Sequence, residues 1–286
     1  MERAVQFTAG GEVLLGILHE GAPEVERGVL VVVGGPQYRI GSHRQFLLLA
    51  RYLAAAGIPV LRFDYRGMGD AGGEQREFGR VGEDVRAAID TFQSELPGLR
   101  KVVLWGLCDA ASAGLLYAYR DPRVGGLVLL NPWVRTEAGL ARAYLKTYYL
   151  QRLLSRDFLA DVLRGRWHPL RSLRSLMGML RRAGTSKNGE GLGREDTDVA
   201  GRLPNRMAEG WRRYDGPILL ILSGDDLTAA EFRETATQAP AWRGLLTHPR
   251  VTRRELPAAN HTFSRREWRD QVAEWTLEWV RDGGGG

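Results

Sequence analysis

Short apolar runs recur along the chain, and helical patterning fills most of the gaps between them. Residues 5–8 and 13–18 read as an opening hairpin turned at Gly10 and Gly11. Six further runs follow, at 28–33, 59–64, 101–105, 126–130, 217–222 and 251–256. Their near-continuous Val, Leu and Ile suit strands covered on both faces, the condition of a mostly parallel sheet. Apolar residues at helical spacing mark 45–56, 82–95, 110–119 and 268–280. This alternation predicts an α/β fold: eight strands, mostly parallel, flanked by crossover helices.

The sixth and seventh runs lie too far apart for one ordinary crossover. An insertion over 133–214 is predicted, with the core formed by 1–132 and 215–282. Inside it Leu145, Tyr149, Leu153, Phe158 and Val162 keep helical spacing, as do Leu170, Leu173, Met177 and Leu180. Pro169 suits the first turn of the second helix. The stretch GTSKNGEGLG, 184–193, reads as a flexible connector, and 283–286 as a frayed tail. The insertion is expected to be a helical lid.

Composition adds a charge asymmetry. The net charge of the 286 residues is +6, but ten Lys and Arg face two Asp between Arg142 and Arg182. That segment carries +8 and the remainder −2. A basic lid would draw phosphates of a pantetheine donor or anionic headgroups at a membrane surface, or simply be solvated. No aromatic-interleaved basic motif accompanies the charge, so nucleic acid is not an expected partner. One cysteine excludes an internal disulfide. No apolar run approaches a membrane span and no secretory pattern opens the chain, so a cytoplasmic enzyme is expected. No Cys/His cluster has metal-ligand spacing, and no cofactor is expected.

The single cysteine sits in KVVLWGLCDAASAGLLYAY, between an apolar run and a helical run. Gly106 and Ala110 lie two residues either side of Cys108, and Ala111, Ala113 and Gly114 extend the small surface. Small residues there let a helix pass close behind the strand that feeds it. A thiol at such a bend lies at a helix N-terminus, which favours the thiolate. Ser112, one turn into the helix, reads as a packing residue.

This pattern resembles the nucleophile elbow of the α/β-hydrolase superfamily, and the resemblance extends over nearly the whole chain. It implies a nucleophile, an acid and a base in that chain order. The base is then His261 in LPAANHTF, after the last strand; His248 precedes that strand and reads as a surface residue. The acid comes from LSGDDLTAAEF, with Asp226 favoured and Asp225 the alternative. An oxyanion hole would pair the Asp109 N–H with one from the loop VGGPQ; Pro36 has no N–H, which leaves Gly35 or Gln37. Arg39 and His43 follow that loop and are candidates to face the substrate pocket, although loop contacts explain them as well. FDYRGMGD, residues 63–70, is similar to the superfamily's Asp-x-Arg-Gly-x-Gly stretch, whose arginine and aspartate tie a loop near the site.

Taken together, GGPQYRIGSHRQF, RFDYRGMGD, GLCDAASA, SGDDLTAAEF and NHTFSRREW resemble the exosortase A system-associated hydrolase, type 1. That resemblance implies a role beside exopolysaccharide and protein-sorting loci. Val33, Ala71 and Ala110 depart from the superfamily's usual histidine, serine and second elbow glycine. A cysteine at the elbow is similar to dienelactone hydrolases and polyester synthases. The expected activity is acyl transfer to water from a small ester or thioester, through Cys108, His261 and Asp226. The alternatives are an acyltransferase on the same residues, with an exopolysaccharide or lipid acceptor, and a non-catalytic binding module.

Overall fold

In a computed structural model of the chain, residues 1–35, 37–134 and 194–284 are described, 194–202 by backbone alone. Eight strands form one sheet in the order β1-β2-β4-β3-β5-β6-β7-β8. The strands are β1 (Glu2–Ala9), β2 (Glu12–His19), β3 (Arg27–Val32), β4 (Val60–Phe63), β5 (Lys101–Leu107), β6 (Val124–Leu130), β7 (Ile218–Asp225) and β8 (Val251–Asn260). Pairing is antiparallel on both sides of β2 and parallel from β4 to β8. The opening hairpin turns at Gly10 and Gly11, both at positive φ, with Ala9 facing Glu12.

The predicted crossover helices are α1 (Gln45–Ala55), α2 (Gly82–Glu95) and α3 (Asp109–Ala118), and the closing helix is α6 (Arg266–Arg281). Two described helices went unpredicted: α4 (Arg194–Arg213) and α5 (Leu227–Gln238). The second has a thin apolar pattern, with Ala229, Phe232 and Ala236 its buried apolar positions. Asp226 starts it by accepting the Thr228 and Ala229 N–H groups.

Alternation along the strands splits the core. Val29 and Val31 of β3, Val103 and Trp105 of β5 and Leu219 and Ile221 of β7 share one cluster with α1 and α6. The opposite face packs α2 and α3, where Phe92 stands against β3 and Gly114 against Leu104 and Leu127. Trp105 joins its cluster by an edge contact with Phe46 and an Nε1–H bond to Thr276 Oγ1. These contacts fix the end of β5, from which the site is built.

Internal contacts divide the chain into Met1–Arg135 with Pro204–Gly286, and Thr136–Leu203. The sheet belongs to the first unit, as does an aromatic cluster of Trp211, Phe232 and Trp242. The lid helices predicted over 145–180, the connector at 184–193 and the last two tail residues lie outside the described residues. Among the described residues no helix is long and apolar enough to cross a membrane.

Phe92 is fully buried, so Phe92→Ala is expected to cost about 3–5 kcal/mol. Urea denaturation should show the lower midpoint, and an unchanged midpoint would contradict this packing.

Candidate active site

β5 ends at Leu107 and α3 begins at Asp109, leaving one residue to make the bend. That residue, Cys108, takes φ 62° and ψ −124°, a conformation that L-residues rarely adopt. Its backbone is pinned from both sides. The Cys108 N–H donates to Leu130 O at 2.9 Å, and its carbonyl accepts from the Trp133 N–H at 3.2 Å. Close passage of α3 is possible because Gly106 lacks a Cβ, which would otherwise stand 2.6 Å from the Ala110 carbonyl carbon. Alanine is tolerated at the second flank, where Ala110 is buried. Ser112 packs as expected: its Oγ donates to Trp133 O at 2.8 Å.

The Cys108 side chain is half-buried and lines a cavity of about 440 Å³. His261, the first residue after β8, lines the same cavity as Cys108. Its Nδ1 lies 2.9 Å from Asp226 Oδ2. The bond to Asp226 first, and the influence of the Cys108 sulfur second, raise the imidazole pKa to about 10 against the opposing effect of burial. Asp226 therefore serves two partners, the imidazole and the N-terminus of α5. Asp225, the alternative acid, is exposed at the end of β7 and pairs across the sheet with Asn260. Geometry brings Cys108, His261 and Asp226 together and leaves Asp225 outside.

Two other candidates are placed elsewhere. Arg39 is not among the described residues lining the cavity; its guanidinium holds Asp64 and, at 2.7 Å, Asp70. The Arg39 N–H also donates to Asp64 Oδ1 at 2.6 Å, so this arginine fastens the 63–70 loop. Arg66 of the same loop is buried against Asp84 and Glu83. His43 is exposed in a short 3-10 turn, at φ 52°, and is not among those lining residues either. A sequence places these residues near the loop; the loop's own carboxylates then claim Arg39.

The expected oxyanion donors meet an occupant. The Gly35 N–H donates to Asp109 Oδ2 at 2.8 Å, and the Ala110 N–H to Oδ1 at 3.0 Å. Gly34 makes room for this carboxylate, since a Cβ there would fall 2.1 Å from Oδ1. Gln37 lines the cavity, and its side-chain oxygen accepts the Ser42 N–H at 3.0 Å.

One positioning residue escaped sequence reasoning. Asn131, fully buried just past β6, donates from Nδ2 to Ser223 Oγ at 2.7 Å and to His261 O at 3.1 Å. Its Oδ1 accepts the Ser223 N–H at 2.9 Å. Asn131 thereby ties the ends of β6 and β7 to the histidine loop. An asparagine closing an apolar run, as in LVLLNPW, was the available signal. Asn260 and Ser264 close the same loop from below by reciprocal bonds.

Among the described residues no His, Cys, Asp or Glu cluster has the makings of a metal site. Cavity walls are apolar and aromatic at Phe46, Phe78, Leu107 and Trp133, and the described charges facing it are those of Asp109 and His261. A half-buried thiol, an imidazole held by a carboxylate and main-chain N–H groups thus border one apolar cavity.

Solved structures show the same architecture at low identity. An esterase from Pyrococcus furiosus, Pf2001, superposes with a TM-score of 0.66 at 16% identity, covering 100% of this chain and 92% of that one. Est1E from Butyrivibrio proteoclasticus, solved with ferulic acid bound, gives 0.62 at 13%, covering 98% of each chain. DcsB, solved with a substrate analogue, gives 0.61 at 15%, covering 100% of each. No curated protein sequence matches the chain. The profile of the alpha/beta hydrolase family matches residues 29–275. With the strand order, the elbow and this match in hand, the chain belongs to the alpha/beta hydrolase family.

Proposed function

We propose that this alpha/beta hydrolase cleaves an ester or thioester by covalent catalysis at Cys108, with His261 as acid–base and Asp226 as its orienting partner. The observation that carries the reading is the His261–Asp226 bond at 2.9 Å beside the apolar cavity onto which the positive-φ bend at Cys108 opens. The motifs shared with the exosortase A system-associated hydrolases, type 1, support that subtype.

In the acylation step the Cys108 sulfur bonds to the carbonyl carbon, and its proton rests on His261. The carbonyl oxygen gains the π electron pair and is received by backbone N–H groups of the elbow and the 34–37 loop. When that pair returns, the bond to the leaving oxygen or sulfur breaks, and His261 supplies its proton. Water then gives a proton to His261, attacks the acyl-enzyme and releases the acid. Asp226 holds the imidazole by Nδ1 throughout, which keeps the other ring nitrogen for the sulfur. A cavity of about 440 Å³ with Phe46, Phe78, Leu107 and Trp133 on its walls favours an uncharged, apolar acyl group.

Hydrolysis of p-nitrophenyl butyrate should fall on the order of a thousandfold or more in Cys108→Ala and in His261→Ala. Iodoacetamide should abolish wild-type turnover. Unchanged turnover in Cys108→Ala, with alkylation no faster than that of a free thiol, would falsify the cysteine mechanism. Supplying candidate alcohols and weighing the products by mass spectrometry separates transfer to water from transfer to another acceptor.

The His261–Asp226 pair also makes stability depend on pH. A histidine whose proton is held more tightly in the folded state stabilises the fold fully below its unfolded pKa, near 6.5. That contribution is lost as pH rises toward about 10. Urea midpoints of the wild type should therefore fall more steeply between pH 6.5 and 10 than those of Asp226→Asn. Parallel slopes in the two proteins would show that the pair does not retain the proton.

Asn131→Ala leaves the buried Ser223 N–H without its acceptor, which should cost about 1–3 kcal/mol. It should also lower kcat more than it raises KM, because His261 loses a support rather than the substrate a contact. Steady-state kinetics at a temperature where the variant is folded checks this. A change confined to KM would place Asn131 at substrate binding instead.

A further inference from the structure

Asp109 follows the proposed nucleophile directly, and its carboxylate is not idle. It accepts the Gly35 N–H at 2.8 Å and the Ala110 N–H at 3.0 Å. The first of these two donors, Gly35, is among those expected to receive a developing oxyanion. An internal anion has thus taken up the place to which a substrate's carbonyl oxygen must come. Its fit there shows that the donor set holds a negatively charged oxygen, which is what an oxyanion hole must do. Both Gly35 and Asp109 line the cavity beside Cys108, so the occupant faces the space an acyl group would enter.

Resting on the cysteine reading above, we infer that the Asp109 carboxylate is a displaceable occupant of the oxyanion hole, and that its departure gates acylation of Cys108. Three features of the surroundings fit an occupant that leaves. Among the described residues no Lys or Arg side chain is bonded to it, and backbone dipoles hold its charge. Burial pushes its carboxyl pKa upward despite those bonds, which marks the anion as costly to keep there. His261 and Tyr65 interact with its charge, and neither closes a direct bond to it among the described residues. While it remains, a second anionic oxygen cannot share the donors, because like charges at that spacing repel strongly in a partly buried site. The site therefore favours substrates whose binding draws the carboxylate out, and small activated esters acylate it more slowly than the chemistry alone would allow.

Two reactions of the same sulfur separate this device from the chemistry it gates. Acylation by p-nitrophenyl acetate forms the sulfur–carbon bond, develops an oxyanion and expels p-nitrophenolate, so it needs the hole. Alkylation by iodoacetamide displaces iodide at a saturated carbon and develops no oxyanion. Single-turnover acylation and alkylation rates should be measured for the wild type, Asp109→Ala and Asp109→Asn. Acylation is expected to rise tenfold or more in Asp109→Ala and at least threefold in Asp109→Asn, while alkylation changes by less than twofold. The asparagine variant keeps the side chain's size and decides the matter if the alanine variant is unfolded by thermal melt. Acylation that is unchanged or slower in a folded variant, with alkylation intact, overturns the gate and makes the carboxylate a fixed latch on the 34–37 loop. Failure of the wild type to alkylate faster than a free thiol removes the cysteine reading itself, and the gate with it.

Discussion

Everything in the site depends on how closely α3 passes behind the end of β5. The strand is buried along nearly its whole length, and Trp105 anchors it to α1 and α6. Gly106 offers no side chain where the Ala110 backbone approaches, so the helix can begin within one residue of the strand. That residue must absorb the whole change of direction, and Cys108 does so at positive φ. Parallel neighbours stabilise the strained bend: Leu130 accepts its N–H, and Trp133 donates to its carbonyl. The strain is thus sustained by a sheet and two loops, which is the usual condition for a sharply bent residue at a reactive site.

From that bend the rest of the site is assembled by the carboxyl ends of the parallel strands. β6 contributes Asn131, β7 leads to Asp226, and β8 leads to His261. These ends converge because right-handed crossovers put the strands side by side in one direction, whatever the distance between them along the chain. Asp226 illustrates the economy of the arrangement. The carboxylate that starts α5 is also the one that holds the imidazole, so the orientation of His261 is tied to a helix terminus. Electrostatics then favour the protonated imidazole, with anionic Asp226 on one side and the sulfur on the other.

The apolar cavity and the charged residues around it have separate duties. Arg39, Arg66, Asp64, Asp70 and Asp84 bind one another and so fasten the 63–70 loop, while keeping their charges out of the described cavity wall. Removing a charge from that network would loosen the 63–70 loop without touching the reacting atoms. Asp109 is the exception, an anion inside the site, and its partners are main-chain N–H groups. A carboxylate held by dipoles alone can be exchanged for another oxygen at less cost than one held in an ion pair.

By itself the sequence determined the class of fold, the strand-by-strand alternation, the elbow and the histidine that follows the last strand. Those features are local: runs of Val and Leu, helical spacing and small residues flanking Cys108 each act over a few positions. Choosing Asp226 over Asp225 was within reach too, since an Asp before a helix is a recognised cap. That helix was missed because its apolar pattern is thin. Tertiary structure alone decided the matters that turn on distance between remote segments. It sent Arg39 to Asp64 rather than to the cavity, brought Asn131 beneath His261 and laid the Asp109 carboxylate across the Gly35 N–H. Side-chain partners across 25, 130 and 74 residues are set by the path of the sheet, and no period in the sequence encodes them.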